Sequence, residues 1–349
     1  MDRDALVEKD RTGEPIANAD LAGLDLAGAD LGGGIFDHVS FRGAKLAGAR
    51  LRETALLSCD FSGADATGAS FVRANLVSCT FDGARLEGAS FARATGHAVA
   101  FRRARMARAD LSRITLHDAT LSEVDFTAST WERAVLAKCR AERLDFSDVA
   151  FVTVTFQDVD LSTATLARAR FDRAVFLGAR FGGQDLSGLD LRGSQRVGAD
   201  LRGVTLCEAE LAQVNFKDAI LEDVDLSRAS AENALFIGAL APRARFRGAN
   251  LFQALFVDAK LPDADLSNAN LEQAIFHRAS CIGARFEGAN LTYADLSHAD
   301  VSAAEFASAK TFRMRLHGVT DRGTRWDGKA AALGDDAELA EAERFVAKR

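Results

Sequence analysis

Apolar positions recur every five residues along most of the chain. Leu21, Leu26, Leu31, Phe36, Phe41, Leu46 and Leu51 open the series, which runs to Leu316 without losing register. Leu or Phe fills 49 of these 60 places, too many for the register to be accidental. A second series, two residues earlier, is small: Ala holds 38 of 60 places, and all of them from Ala229 to Ala309. A polar residue often separates the two, as in Ala19-Asp20-Leu21 and Ala249-Asn250-Leu251. On an α-helix five residues turn about 140°, which scatters the Leu series over every face. On a flat strand an odd period throws alternate Leu residues to opposite faces. Short extended pieces joined by corners satisfy the pattern, with both series inward and Gly turning the chain at Gly23, Gly28, Gly43 and Gly48. Successive corners wind the chain into a coil that stacks on itself.

Reading the chain in twenties aligns Phe216, Phe236, Phe256 and Phe276 in one column and Asn250, Asn270 and Asn290 in another. Ladders of like side chains are expected between stacked coils, so four units per coil is the reading, and sixty units make about fifteen coils. The pattern resembles the pentapeptide-repeat family, with its A(D/N)LXX consensus, over about residues 17–318. The resemblance implies an all-β fold, a right-handed quadrilateral β-helix. Residues 1–16 are expected to form an N-terminal cap, and residues 319–349 a linker and a short C-terminal capping helix. In that helix Asp335 and Asp336 stand at the start, with Leu339, Ala342 and Val346 on one face.

Several places break the pattern. Gly96 and Arg196 replace the inward Leu or Phe. A buried unpaired guanidinium is costly, so a local bulge is expected to carry Arg196 to solvent. Between Ile114 and Val159 larger residues such as Val124, Leu144, Val149 and Val154 displace the small series, and Trp131 takes a central place, which reads as a wider core. Cys59, Cys79 and Cys139 share an inward column and are expected to stay reduced, because stacked parallel side chains have poor disulfide geometry. Cys207 is expected to face outward. His97 and His117 stack one coil apart beside Asp118, and the expectation is a solvated histidine ladder without a metal. No phosphate-binding Gly loop and no nucleophile motif is present. No catalytic residue and no cofactor is therefore expected, and an enzyme is not.

Charge narrows the partners. Lys and Arg number 43 and Asp and Glu 50, a net charge of −7, which argues against a basic nucleic-acid-binding surface. No apolar run has membrane-spanning length, the start MDRDALVEKD is too charged for a secretory signal, and five cysteines make no disulfide framework. A soluble, cytoplasmic bacterial protein is expected.

The four faces differ. One carries Asp25, Lys45, Asp65, Arg85, Asp225, Arg245, Asp265 and Arg285, with opposite charges interspersed. Another carries apolar residues at its outward places: Val175 and Leu177, Leu235 and Ile237, Leu255 and Val257, and Ile275, with Ile220, Leu240 and Phe252 on adjoining faces. A contiguous apolar patch points to an interface. The expected function is a non-enzymatic scaffold or adaptor that holds a protein partner or a second copy through this face. The family resemblance implies two more specific roles: association with a bacterial secretion system, or, as the alternative, DNA mimicry that binds the type II topoisomerase gyrase to protect or inhibit it.

Overall fold

A computed structural model describes residues 2–344. The fold is the expected right-handed quadrilateral β-helix, divided into two compact units, Met1–Arg180 and Phe181–Arg349. In both units the residues at the bridging positions pair in parallel with those 20 positions on, as in Asp25 with Lys45 and Asp225 with Arg245. Four five-residue units therefore close each coil.

The corner explains the period. In the stretch from Phe41 to Ala44 the Ala44 N–H donates to the Phe41 carbonyl at 3.0 Å, and Gly43 between them has φ 60°. A positive φ at the third residue is the mark of a type II turn, which glycine enters without strain. The same left-handed conformation is held by Arg73, Asp223 and Asn268 at equivalent corners, so non-glycine residues pay a conformational cost there that the coil overrides. The polar residue before the central Leu or Phe also has a task. Asp60 accepts the Ser62 N–H at 2.8 Å and Asp225 the Ser227 N–H at 2.9 Å, satisfying a turn donor that the backbone leaves open.

The inward series builds the core. In the first unit Phe41, Phe61 and Phe81 stack with centroids 4.6 Å apart, close to the inter-strand spacing, while Phe71 and Phe91 meet them edge-on. In the second unit Phe236, Phe256 and Phe276 stack at 4.7 and 4.6 Å. The small series lies buried between them and lets the backbone close in. The asparagine column forms a ladder: Asn270 donates its amide to Asn250 at 2.9 Å, and Asn290 to Asn270 at 3.2 Å.

Within the first unit one face is regular enough to make a nine-stranded parallel sheet, from Ile16–Ala17 to Val175–Leu177. The section expected to be wide has a distinct structure. There a second, three-stranded sheet forms from Thr130–Glu132, Ala150–Val152 and Arg170–Asp172. Trp131 is fully buried and donates its indole N–H to the Ser129 hydroxyl at 2.7 Å. A helix, α1 (Arg3–Arg11), is capped by the Asp2 carboxylate and buries Leu6. Gly34 has no room for a side chain: a Cβ would lie 2.0 Å from Asp10 Oδ1, so its absence admits the helix.

Gly96 and Arg196 resolve differently. At Gly96 the strand Thr95–His97 is unbroken, and a Cβ would come within 2.7 Å of Leu116, which fills the space. Arg196 corrects an expectation. No bulge carries it to solvent: its N–H donates to Asn215 O at 2.7 Å, its carbonyl accepts from Ala199 at 3.1 Å, and the side chain is 0% exposed. Because the backbone keeps its register, the side chain must turn inward, where the guanidinium lies 4.9 Å from the centre of the Phe181 ring. Burial pushes its pKa down to about 9. Cys59, Cys79, Cys139 and Cys281 are buried and free, and burial pushes the Cys139 thiol up to about 11. Cys207 is half-buried.

In the second unit the parallel pairing continues beyond residue 318, through Arg325–Trp326 opposite Glu305–Phe306 and Leu333 opposite Arg315. A second helix, α2 (Ala337–Arg344), follows. Its start is capped as the sequence suggests, with Asp336 Oδ1 accepting the N–H groups of Glu338 and Leu339 at 3.0 Å. Leu339 is 43% exposed and Ala342 is exposed, while Val346 lies outside the described residues.

Candidate functional site

The outward columns are fixed by the inward ones. Burying Phe236, Phe256 and Phe276 turns their immediate neighbours toward the surface by alternation. Leu235, Leu255 and Ile275 thereby pair in sequence along one column, each half-buried, and Ile237 and Val257 are half-buried on the other side of the phenylalanines. The column is bounded by polar residues at both ends. Gln195 and Asn215 precede it, joined by an amide hydrogen bond of 2.9 Å, and Asp295 and Arg315 follow it. On the adjoining face Ile220 pairs with Leu240, which is exposed, between Asp200 and Lys260. Phe252 is half-buried beside a corner, its N–H donating to Asn250 Oδ1 at 3.4 Å. Val175 and Leu177 belong to the first unit, on the strand paired with Thr155–Gln157; Val175 is half-buried and Leu177 exposed.

The charged column of the second unit shows how differently the same geometry is used. Asp225 meets Arg245 at 3.0 Å, Asp265 meets Arg285 at 3.9 Å and Glu305 meets Arg325 at 3.0 Å. In the first unit Asp25 and Lys45 stand 3.8 Å apart, and Asp65 and Arg85 3.2 Å. Each exposed pair contributes little to stability, but together they neutralise that face and keep it hydrated.

Two histidine clusters occur among the described residues. In the first unit His97 and His117 stack as expected, with centroids 5.6 Å apart, and Asp118 lies 2.8 Å from Nδ1 of His117. The second cluster was not legible as a site. His298 Nε2 lies 3.0 Å from Glu343 Oε1, and His317 Nε2 lies 3.3 Å from Glu343 Oε2. Hydrogen bonds from His317 and His298 hold the Glu343 carboxyl below the usual carboxylate range. His317 is buried, and its Nδ1 accepts the Asp336 N–H at 3.1 Å. These contacts anchor both ends of α2. A cavity of about 520 Å³ adjoins them, lined also by His277, Asp295, Ser297 and Arg315. His317 follows His298 by 19 residues, one short of a coil, so no column in the sequence announces the pair.

Two family models match the chain. The description "pentapeptide repeat region" matches residues 34–111, and "pentapeptide repeats (8 copies)" matches overlapping stretches within 97–130 and 155–307. No curated protein sequence matches the chain. Among solved structures the chain is similar to QnrB1, a plasmid-mediated fluoroquinolone resistance protein, at 21% identity over 63% of this chain and 99% of that one, with a TM-score of 0.27. It is similar to HetL, a pentapeptide repeat protein involved in heterocyst differentiation regulation from the cyanobacterium Nostoc sp. strain PCC 7120, at 19% identity over 90% and 96% of the two chains, with a TM-score of 0.22. A third is a pentapeptide repeat protein from the Arabidopsis thaliana thylakoid lumen, at 24% identity over 44% and 81%, with a TM-score of 0.16.

Proposed function

The chain belongs to the pentapeptide-repeat family, and from that premise we propose that it is a non-enzymatic interaction scaffold whose second unit holds a protein partner or a second copy through the Leu235, Leu255 and Ile275 column. The observation that carries this reading is the contrast between columns built by one geometry. One is filled with ion pairs, while the other presents consecutive apolar side chains with a polar residue at either end. An apolar centre inside a polar rim is the usual anatomy of a protein interface. Ile237 and Val257 extend the patch across the buried phenylalanines, and Phe252 lies at its margin. Val175 and Leu177 offer the first unit a smaller surface of the same kind. The partner is taken to be a protein; a bacterial secretion-system component is one identity that the family resemblance suggests.

The test is a triple change of Leu235, Leu255 and Ile275 to Ser. These side chains are partly buried, so each change should cost about 1–2 kcal/mol. Self-association in sedimentation, or capture of the wild-type partners by the purified chain, should be lost, because clustered apolar anchors dominate interface energy. A matching triple change at Asp225, Arg245 and Asp265 should leave both unchanged. A folded Ser variant that keeps every wild-type partner and the wild-type oligomeric state would place the interface elsewhere.

A further inference from the structure

We propose that His298, His317 and Glu343 form a binding site for a zinc-class divalent transition-metal cation that ties α2 to the end of the second unit's repeat. One donor atom from each of the three residues converges there, all within 4.8 Å of one another, and Nε2 of both histidines faces the Glu343 carboxylate. A cation about 2.0–2.2 Å from each donor in tetrahedral geometry needs donors roughly 3.3 Å apart. His298 Nε2 lies 3.0 Å from Glu343 Oε1 and His317 Nε2 3.3 Å from Oε2, so each imidazole is at about that spacing from one oxygen of the same carboxylate. The imidazole planes stand at 84° with centroids 5.2 Å apart, so the rings approach Glu343 from two directions.

The donor set selects the class of ion. Two imidazoles and one carboxylate suit zinc and its neighbours, whereas magnesium and calcium favour all-oxygen shells. All three residues line the cavity of about 520 Å³, which leaves room for a water molecule as a fourth ligand.

Cation binding requires a change of tautomer at His317. In the structure His317 Nδ1 accepts the Asp336 N–H, which places the neutral ring's proton on Nε2. A cation at Nε2 requires that proton to move to Nδ1, with none lost overall. Asp335 Oδ1 stands 3.7 Å from Nδ1, so binding requires residues 335–336 to shift until that carboxylate replaces the Asp336 N–H as the partner of Nδ1. A carboxylate behind the metal-bound imidazole is the common second partner of such histidines. The His97, His117 and Asp118 cluster differs in that none of its members is buried.

The experiment uses the full chain without a polyhistidine tag, stripped with chelator and titrated calorimetrically with zinc chloride. One equivalent should bind with about micromolar affinity or better. Glu343→Gln and His298→Ala should each weaken binding by more than about 100-fold, beyond what loss of an outer-shell partner costs. Glu343 is exposed on α2 and Gln keeps its shape and hydrogen-bonding capacity, so this variant disturbs the α2 contacts less than a change at buried His317 would. Cobalt(II) should give the visible absorption of a four-coordinate centre, and Glu343→Gln should abolish it. The absence of any binding heat at millimolar zinc would overturn the proposal. So would one equivalent that survives Glu343→Gln and disappears in the His97→Ala/His117→Ala double variant, since the ion would then belong to the first unit.

Discussion

Leu255 and Phe256 are adjacent in sequence and should have opposite fates on truncation. Phe256 is fully buried, stacks on Phe236 at 4.7 Å and on Phe276 at 4.6 Å, and meets Phe246 edge-on at 5.9 Å. Phe256→Ala removes the middle ring of the stack and leaves a cavity that stiff neighbouring coils cannot close, at a cost of about 3–5 kcal/mol. Stability in a solenoid is close to a sum of coil and neighbour terms, so the loss falls on the coils around residue 256 and is not shared across the chain. For a unit of this size the melting midpoint should drop by about 2–4 °C for each kcal/mol, hence roughly 6–20 °C. Leu255 is half-buried on the outer column, and Leu255→Ala should cost about 1–2 kcal/mol. Phe256→Leu keeps most of the volume and should fall between the two. Far-UV circular dichroism melts of the three variants, with hydrogen exchange to locate the loss, measure the difference. Equal destabilisation by Leu255→Ala and Phe256→Ala would refute the assignment of one residue to the core and its neighbour to the surface, and with it the outward column on which the proposed function rests.

Asp10 carries a pH dependence. Burial, and secondarily the Asp30 charge, push its carboxyl up to about 6 from an ordinary value of 3.8. The folded chain therefore holds the proton more tightly than the unfolded one. Its contribution to α1 packing is fully present below about pH 4 and is lost as pH rises through about 6. Asp10→Asn should flatten the pH dependence of exchange protection in residues 3–11 between those values; an unchanged profile would exclude Asp10 as its source. On the alternative family role, the chain should leave gyrase supercoiling unaffected at low micromolar protein, because Arg85, Arg245 and Arg285 interrupt the acidic columns. Stoichiometric inhibition or quinolone protection in that assay would favour DNA mimicry over the scaffold reading.

The five-residue period determined most of the architecture without help from the tertiary structure. Each unit carries its own instructions: a small residue to admit the backbone, an Asp or Asn to accept a turn N–H, a Leu or Phe for the axis, and a corner residue at positive φ. Such rules act within a few residues and recur, so the register, the columns of Phe and Asn, and the alternation of Leu255 with Phe256 could all be read from spacing. The outward apolar residues were legible for the same reason, although their half-buried state and the polar residues bounding their column came from the structure. What spacing could not supply lies where the period fails. Arg196 was expected to escape to solvent on the ground that burying its charge is costly, yet the hydrogen-bonded backbone on either side holds the register and turns it inward over Phe181. The His298, His317 and Glu343 cluster joins residues 19 and 26 positions apart, neither a coil repeat nor a helical step, and only the placement of α2 against the last coils brings them together. A periodic sequence specifies the contacts that its period repeats; the contacts at its end are made once, between segments with no common spacing, and so were decided by tertiary packing alone.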